Sequence, residues 1–201
     1  MLIIFLPIFI TTISTNAQVK IGVSSGINIA SYTLSEKSPE ATTETKTGFL
    51  ISCIIDIPIF DRFSVRIAPA YIQRGGKVEI PSVSDKPVLN YDYLLLAPYL
   101  TYGFNFSKIT ARLLGGLSFG YLVYAQAEYE GDEVDLMSLT NRFNLTTDVG
   151  CEIEINIFRK LSFIIDGIYS IGQSDISKAM GETKTKDLQL SVGILFDLRK
   201  S

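Results

Sequence analysis

The stretch Phe143-Asn144-Leu145-Thr146-Thr147-Asp148-Val149-Gly150-Cys151-Glu152-Ile153-Glu154-Ile155 decides how the chain folds. Phe143, Leu145, Val149, Cys151, Ile153 and Ile155 alternate with Arg142, Asn144, Thr146, Asp148, Glu152 and Glu154. That is the period of two of a strand with one apolar face and one polar face, not the 3.6 of a helix. The same alternation recurs along the chain. Val19 to Ile29 sets Val19, Ile21, Val23, Ile27 and Ile29 against Lys20, Gly22, Ser24, Gly26 and Asn28. Comparable strands begin near Gly48, Phe63, Asn90, Arg112, Leu161 and Leu188, making eight. The strand from Asn90 to Phe104 is apolar on both faces, so its register is not fixed by pattern.

The connections alternate in length. Polar segments of about fourteen to eighteen residues follow strands one, three, five and seven, near Ser31–Lys46, Gly75–Val88, Gln126–Asn141 and Gln173–Lys186. Tight turns follow the others, at Pro58–Arg62, Asn105–Lys108 and Asn156–Lys160. Short turns at one end and long loops at the other describe an up-and-down antiparallel barrel of the outer-membrane type. Phe60, Phe63, Phe104, Phe106, Phe158, Phe163 and Phe196 fall near the short-turn end. Tyr32, Tyr71, Tyr91, Tyr93, Tyr121 and Tyr124 fall near the long-loop end, so two aromatic girdles are expected.

Composition narrows the chemistry. The chain has 201 residues, a net charge of −3, 19% charged residues, no His and no Trp. Mean hydropathy is +0.28, high for a small soluble domain. Without His there is no Ser-His-Asp or Cys-His catalysis and no His-containing zinc site. Two cysteines, Cys53 and Cys151, make neither a four-cysteine metal site nor a disulfide scaffold. No cofactor, metal or nucleic-acid partner is expected. Leu2 to Ile13 is an apolar run too short to span a bilayer, followed by Thr15-Asn16-Ala17. It reads as a cleavable signal peptide over residues 1–17, with the barrel domain over 18–201, though no Lys or Arg precedes the apolar run.

Alternation alone does not say which face is inside. A soluble lipocalin-like barrel would bury the apolar face around a small apolar ligand. Three features favour the membrane: aromatics sorted to the two ends, a leader that carries the chain out of the cytosol, and polar faces built of small residues. The polar faces carry small residues such as Gly22, Ser24, Gly116, Ser118 and Gly120, which suit a narrow lumen. A one-residue slip in the acidic strand would also push Asp148, Glu152 and Glu154 into hydrocarbon. In the membrane register Lys20, Arg66, Arg74, Arg112 and Arg142 point inward. So do Asp56, Asp148, Glu152, Glu154, Asp166 and Asp197, with Asp92 added to the set. Expected pairs are Asp56 with Arg66, Arg112 with Glu152, and Lys20 with Asp197 across the closing seam. This lumen charge network reads as a structural plug, with a gated polar path as its alternative. Glu152 and Glu154 could do acid/base work, but their spacing follows from alternation and a plugged lumen offers no cleft. Cys53 and Cys151 fall on the lipid face of strands that are not neighbours. Asn105-Phe106-Ser107 and Asn144-Leu145-Thr146 match the glycosylation triplet in turn and strand positions, where it carries no meaning in a bacterial barrel. The acidic run Glu128–Asp135 lacks EF-hand spacing and reads as a solvated loop tip.

Several short motifs then carry a resemblance. They are Lys20-Ile21-Gly22-Val23 with Gly26-Ile27-Asn28, Gly48-Phe49, Phe63-Ser64-Val65 with Pro69-Ala70-Tyr71 and Gly75-Gly76. Tyr93-Leu94 with Pro98 and Tyr102, Gly115-Gly116 with Gly120-Tyr121, Asp166 to Gly172, and the closing Phe196-Asp197-Leu198 complete the set. As a set the chain resembles the PorT-type outer-membrane β-barrel domain family from about Gln18 to Leu198. The resemblance implies a Gram-negative outer membrane, insertion by the barrel-assembly machinery and no catalytic residues. The function expected is a non-enzymatic scaffold, interaction protein or secretion or transport accessory, with lipid around it and a protein partner at the external loops. An outer-membrane enzyme is the less favoured alternative.

Overall fold

A computed structural model describes residues 18–34, 42–79, 87–129, 132–177 and 183–198. The segment read as a signal peptide lies outside the described residues. The elements are β1 (Lys20–Leu34), β2 (Thr42–Phe60), β3 (Phe63–Glu79), β4 (Val88–Phe106), β5 (Ile109–Tyr129), β6 (Asp132–Asp135), β7 (Phe143–Phe158), β8 (Leu161–Gly172) and β9 (Thr183–Asp197). Each long strand pairs antiparallel with its neighbours in chain order. β9 returns to β1, with Lys20 opposite Asp197 and Leu34 opposite Thr183. The result is a closed barrel of eight long strands with no free edge, β6 being a short addition hydrogen-bonded to the upper end of β5. Closure matters here because a backbone group left unpaired in hydrocarbon has no water to bond.

The faces sort as the alternation requires. Ile21, Val23, Ile27, Leu113, Leu117, Ile153, Val192 and Ile194 are exposed on the outside. Ser24, Asn28, Asp56, Arg66, Thr146, Glu152 and Ser191 are buried inside. A soluble ligand carrier needs the reverse, so that alternative fails on the face assignment. β4 takes the register the pattern left open, with Tyr91, Tyr93, Leu95, Ala97 and Tyr99 inward and Leu94, Leu96 and Leu100 outward.

The turns at one end are two residues long, at Asp61-Arg62, Ser107-Lys108 and Arg159-Lys160. Asp61 and Ser107 take φ of 41° and 53°, the left-handed region that short polar side chains tolerate in tight hairpins. The opposite end corrects an expectation. Much of Ser31–Lys46, Gly75–Val88, Gln126–Asn141 and Gln173–Lys186 is strand rather than loop. β5 has 21 residues. At about 3.3 Å per residue and a tilt near 40°, such a strand rises about 50 Å, twice the roughly 25 Å apolar band of a membrane barrel. The polar extensions are therefore hairpins standing above the bilayer. The acidic run Glu128–Asp135 contributes β6 rather than a plain loop tip.

Candidate functional site

The lumen is filled in three storeys. The lowest is ionic. Asp56, Arg66, Arg112, Glu152 and Glu154 face inward because each occupies the polar phase of its strand. Arg66 gives Nη1 to Glu152 Oε2 at 2.5 Å, and Nη2 to Glu152 Oε1 and Asp56 Oδ2 at 3.0 Å each. Arg112 reaches Glu152 Oε1 at 2.7 Å, pairs with Glu154, and lies 3.6 Å from Asp56. Lys20 Nζ donates to Glu154 Oε1 at 2.6 Å. The planar fork of arginine suits this bridging, since each guanidinium can serve two carboxylates. The Asp56–Arg66 and Arg112–Glu152 pairs are both formed. Lys20 stands opposite Asp197 in the ladder, but its ammonium turns inward to Glu154, while Asp197 sits half-buried at the lower rim.

The middle storey is polar but poor in cations. Asp148 accepts from Tyr99 at 3.0 Å, from Thr146 at 2.8 Å and from Ser118. Asp166 accepts from Ser191 at 2.8 Å and stands opposite Glu152 in the ladder. Beside it lies a cavity of about 30 Å³, lined in part by Ser24, Ser52, Ala68, Ala97, Tyr99 and Gln189. That is room for one or two water molecules.

The upper storey closes the barrel. Arg74 Nε lies 2.7 Å from Asp187 Oδ2, and its Nη1 donates to Asn144 Oδ1 at 2.8 Å. Its guanidinium stacks 5.2 Å from the centre of the Tyr93 ring. Tyr32, Leu50, Ile72, Tyr91, Tyr93, Leu122 and Ile176 form one apolar cluster around it.

Two inward assignments and one outward assignment are corrected. Arg142 is exposed and donates to the Tyr121 hydroxyl at 3.2 Å, because β7 begins at Phe143 and the chain leaves the wall there. Asp92 lies on the outer face and accepts from Tyr71 at 2.6 Å, because the unbroken alternation of β4 turns Tyr91, Tyr93 and Leu95 inward. Tyr32, Tyr91 and Tyr93 are buried in the lumen rather than in a girdle. On the outer face Tyr121 and Tyr124 remain exposed at the upper end, and Phe60, Phe104, Phe106, Phe158 and Phe196 at the lower. Asp187 was missed. The inward phase of Gln189 and Ser191, carried two residues back, points to it. Cys53 and Cys151 are exposed and free on the lipid face. The two glycosylation triplets fall as read: Ser107 is in a turn, and Asn144 is buried as a partner of Arg74.

A closed eight-stranded wall that is apolar outside and ionic within defines a bacterial outer-membrane barrel. The chain belongs to the outer membrane protein beta-barrel domain family, whose model matches residues 14–178. The protein therefore sits in the bacterial outer membrane, surrounded by lipid. Among solved structures it is similar to OprG from Pseudomonas aeruginosa, with a TM-score of 0.58 and 11% identity over 92% of this chain and 98% of that one. It is similar also to Neisserial surface protein A, with a TM-score of 0.55 and 14% identity over 89% of this chain and 97% of that one. No curated protein sequence matches it.

Proposed function

We propose that the protein is a non-enzymatic scaffold that binds a protein partner through the hairpins above the bilayer and acts as an accessory to secretion or transport. One contrast carries this reading. The lumen is filled from the ionic storey to the tyrosine cluster, around a cavity of about 30 Å³ beside Asp166, while β2 to β5 rise far beyond what a membrane requires. A plugged lumen has neither a conducting path nor a substrate cleft, so the surface left for function is the raised end. The finer likeness to the PorT-type family supports the secretion role, and a signal peptide over residues 1–17 supplies the export that this address needs.

The test is complementation. A strain lacking the chromosomal copy receives either the intact chain or one with Gln126–Asp135 removed, which shortens the β5–β6 hairpin. The shortened chain is expected to reach the outer membrane as a heat-modifiable barrel yet fail to restore the envelope phenotype. Purified intact protein is expected to give no discrete conductance in a planar bilayer. Full complementation by the shortened chain, or steady single-channel currents from the intact one, overturns the proposal.

A further inference from the structure

The short-turn end of the barrel, which faces the periplasm in such proteins, is built three times on one plan. Each tight turn follows a strand that ends in phenylalanine: Phe60 before Asp61-Arg62, Phe106 before Ser107-Lys108, and Phe158 before Arg159-Lys160. Each phenylalanine is paired across its turn with an apolar residue, Phe63, Ile109 or Leu161. Phe60, Phe106 and Phe158 are 74%, 64% and 71% exposed. Exposed rings at this level sit where hydrocarbon meets headgroup.

The second turn residue is basic every time, and its backbone is fastened. The carbonyl of Arg62 accepts from the Gly103 N–H at 2.8 Å, that of Lys108 from Asn156 at 2.8 Å, and that of Lys160 from Asp197 at 2.9 Å. The ladder to the next hairpin therefore continues one residue into each turn. The turns lie two strands apart, about 10 Å along the rim. Arg62, Lys108, Arg159 and Lys160 are all exposed. Arg62 has one acidic neighbour, with its Nε 3.9 Å from Asp61 Oδ2, an exposed pair of little strength. Lys108, Arg159 and Lys160 have no ion pair among the described residues. The opposite end differs in sign, since the β5–β6 hairpin exposes Glu128, Asp132, Glu133 and Asp135.

We propose that these turn cations form a rim that selects anionic glycerophospholipids from the periplasmic leaflet. Arg62, Lys108 and the Arg159-Lys160 pair each hold one phosphodiester headgroup, and the preceding phenylalanine lies against that lipid's acyl chain. The rings fix the height and the carbonyl ties fix the spacing, so each cation meets phosphate rather than bulk water. A zwitterionic lipid brings an ammonium group of its own that offsets its phosphate. Net lipid charge is therefore what the rim distinguishes.

The intact barrel is assembled in lipid nanodiscs with equal amounts of phosphatidylglycerol and phosphatidylcholine of the same acyl chains. Native mass spectrometry then weighs the lipids that stay bound. At about 0.1 M ammonium acetate, phosphatidylglycerol is expected to be retained about fivefold over phosphatidylcholine, the factor that one basic residue near an anionic surface supplies. At about 1 M the ratio is expected to fall close to one, because the screening length drops from about 10 Å to about 3 Å. Replacing Arg62, Lys108, Arg159 and Lys160 together by glutamine is expected to abolish the preference while leaving a heat-modifiable barrel. Arg142→Gln with Lys184→Gln and Lys186→Gln, which removes exposed cations from the raised end, is expected to keep it. Where the fourfold variant fails to fold, the salt series on the natural chain and the single Lys108→Gln carry the test. Equal retention of the two lipids by the natural chain at low salt, a preference that survives 1 M salt, or one lost with the raised-end cations instead of the turn cations overturns the proposal. None of these outcomes bears on the partner assigned to the raised hairpins.

Discussion

Replacing Glu152 by glutamine tests whether the ionic storey holds the barrel together. Glu152 is fully buried and bridges Arg66, at 2.5 and 3.0 Å, and Arg112, at 2.7 Å. With charge centres near 4 Å and an effective dielectric constant near 20, each attraction is worth about 4 kcal/mol, so about 8 kcal/mol in all. Desolvation of the carboxylate returns several kcal/mol of that. Asp56 and Glu154 remain to serve the two arginines, which softens the loss further. The net expected cost is about 3 kcal/mol, the lower end for breaking a buried pair. Against a net stability of about 5–15 kcal/mol this is large. At an m value near 2 kcal/mol per molar, the urea midpoint of the vesicle-inserted barrel should fall by about 1.5 M. The assay is the fraction of heat-modifiable band after equilibration in urea, which suits a chain without tryptophan. A midpoint indistinguishable from the natural chain refutes the reasoning, because it would mean that the two guanidinium groups are as well served without Glu152.

Other substitutions separate the storeys. Asp166→Asn removes one of two carboxylates facing each other across the β7–β8 ladder and keeps a partner for Ser191, so the same urea assay should show the barrel unchanged or up to about 1 kcal/mol more stable. Arg74→Ala strands Asp187 in the upper storey and should cost about 3–5 kcal/mol by that assay. Arg142→Ala, at an exposed site, should move stability by no more than about 0.5 kcal/mol. Gly26→Val should give no heat-modifiable band on the unboiled gel, because an added Cβ would lie 2.0 Å from the Leu190 carbonyl oxygen and 2.6 Å from Ser191 Cα in the adjoining strand.

Much of this architecture was legible because lipid and lumen demand opposite residue types at alternate positions. Asp56, Arg66, Arg112, Asp148, Glu152, Glu154 and Asp166 could all be placed inward by phase alone. The errors arose where phase and height were confused. Tyr32 shares the inward phase of Asn28, yet its position near the strand end suggested a girdle. Arg142 has the right phase but lies beyond the first residue of β7, where phase has no meaning. Asp92 takes its phase from Tyr91, Tyr93 and Leu95, which point inward in a strand whose composition is apolar on both faces and so does not announce its register. The upper strands were read as loops because a strand that has left the membrane is wetted on its outer face and loses the apolar repeat. Which carboxylate takes Lys20 depends on reach across the lumen, and pairing order does not supply that.

The seam between β1 and β9 joins the first described strand to the last, from Lys20–Asp197 to Leu34–Thr183. Neighbouring hairpins can form as soon as their own residues emerge, but this seam waits for almost the entire polypeptide. Its partners are the most distant in sequence, so it bears the heaviest loop-closure entropy and sets a slow late step in folding. Until then the nascent sheet has two raw margins that hydrocarbon cannot satisfy and that other nascent sheets can. A chain truncated before Thr183 therefore keeps seven-eighths of the wall and none of its integrity: it is a substrate for chaperones and proteases, not a smaller barrel.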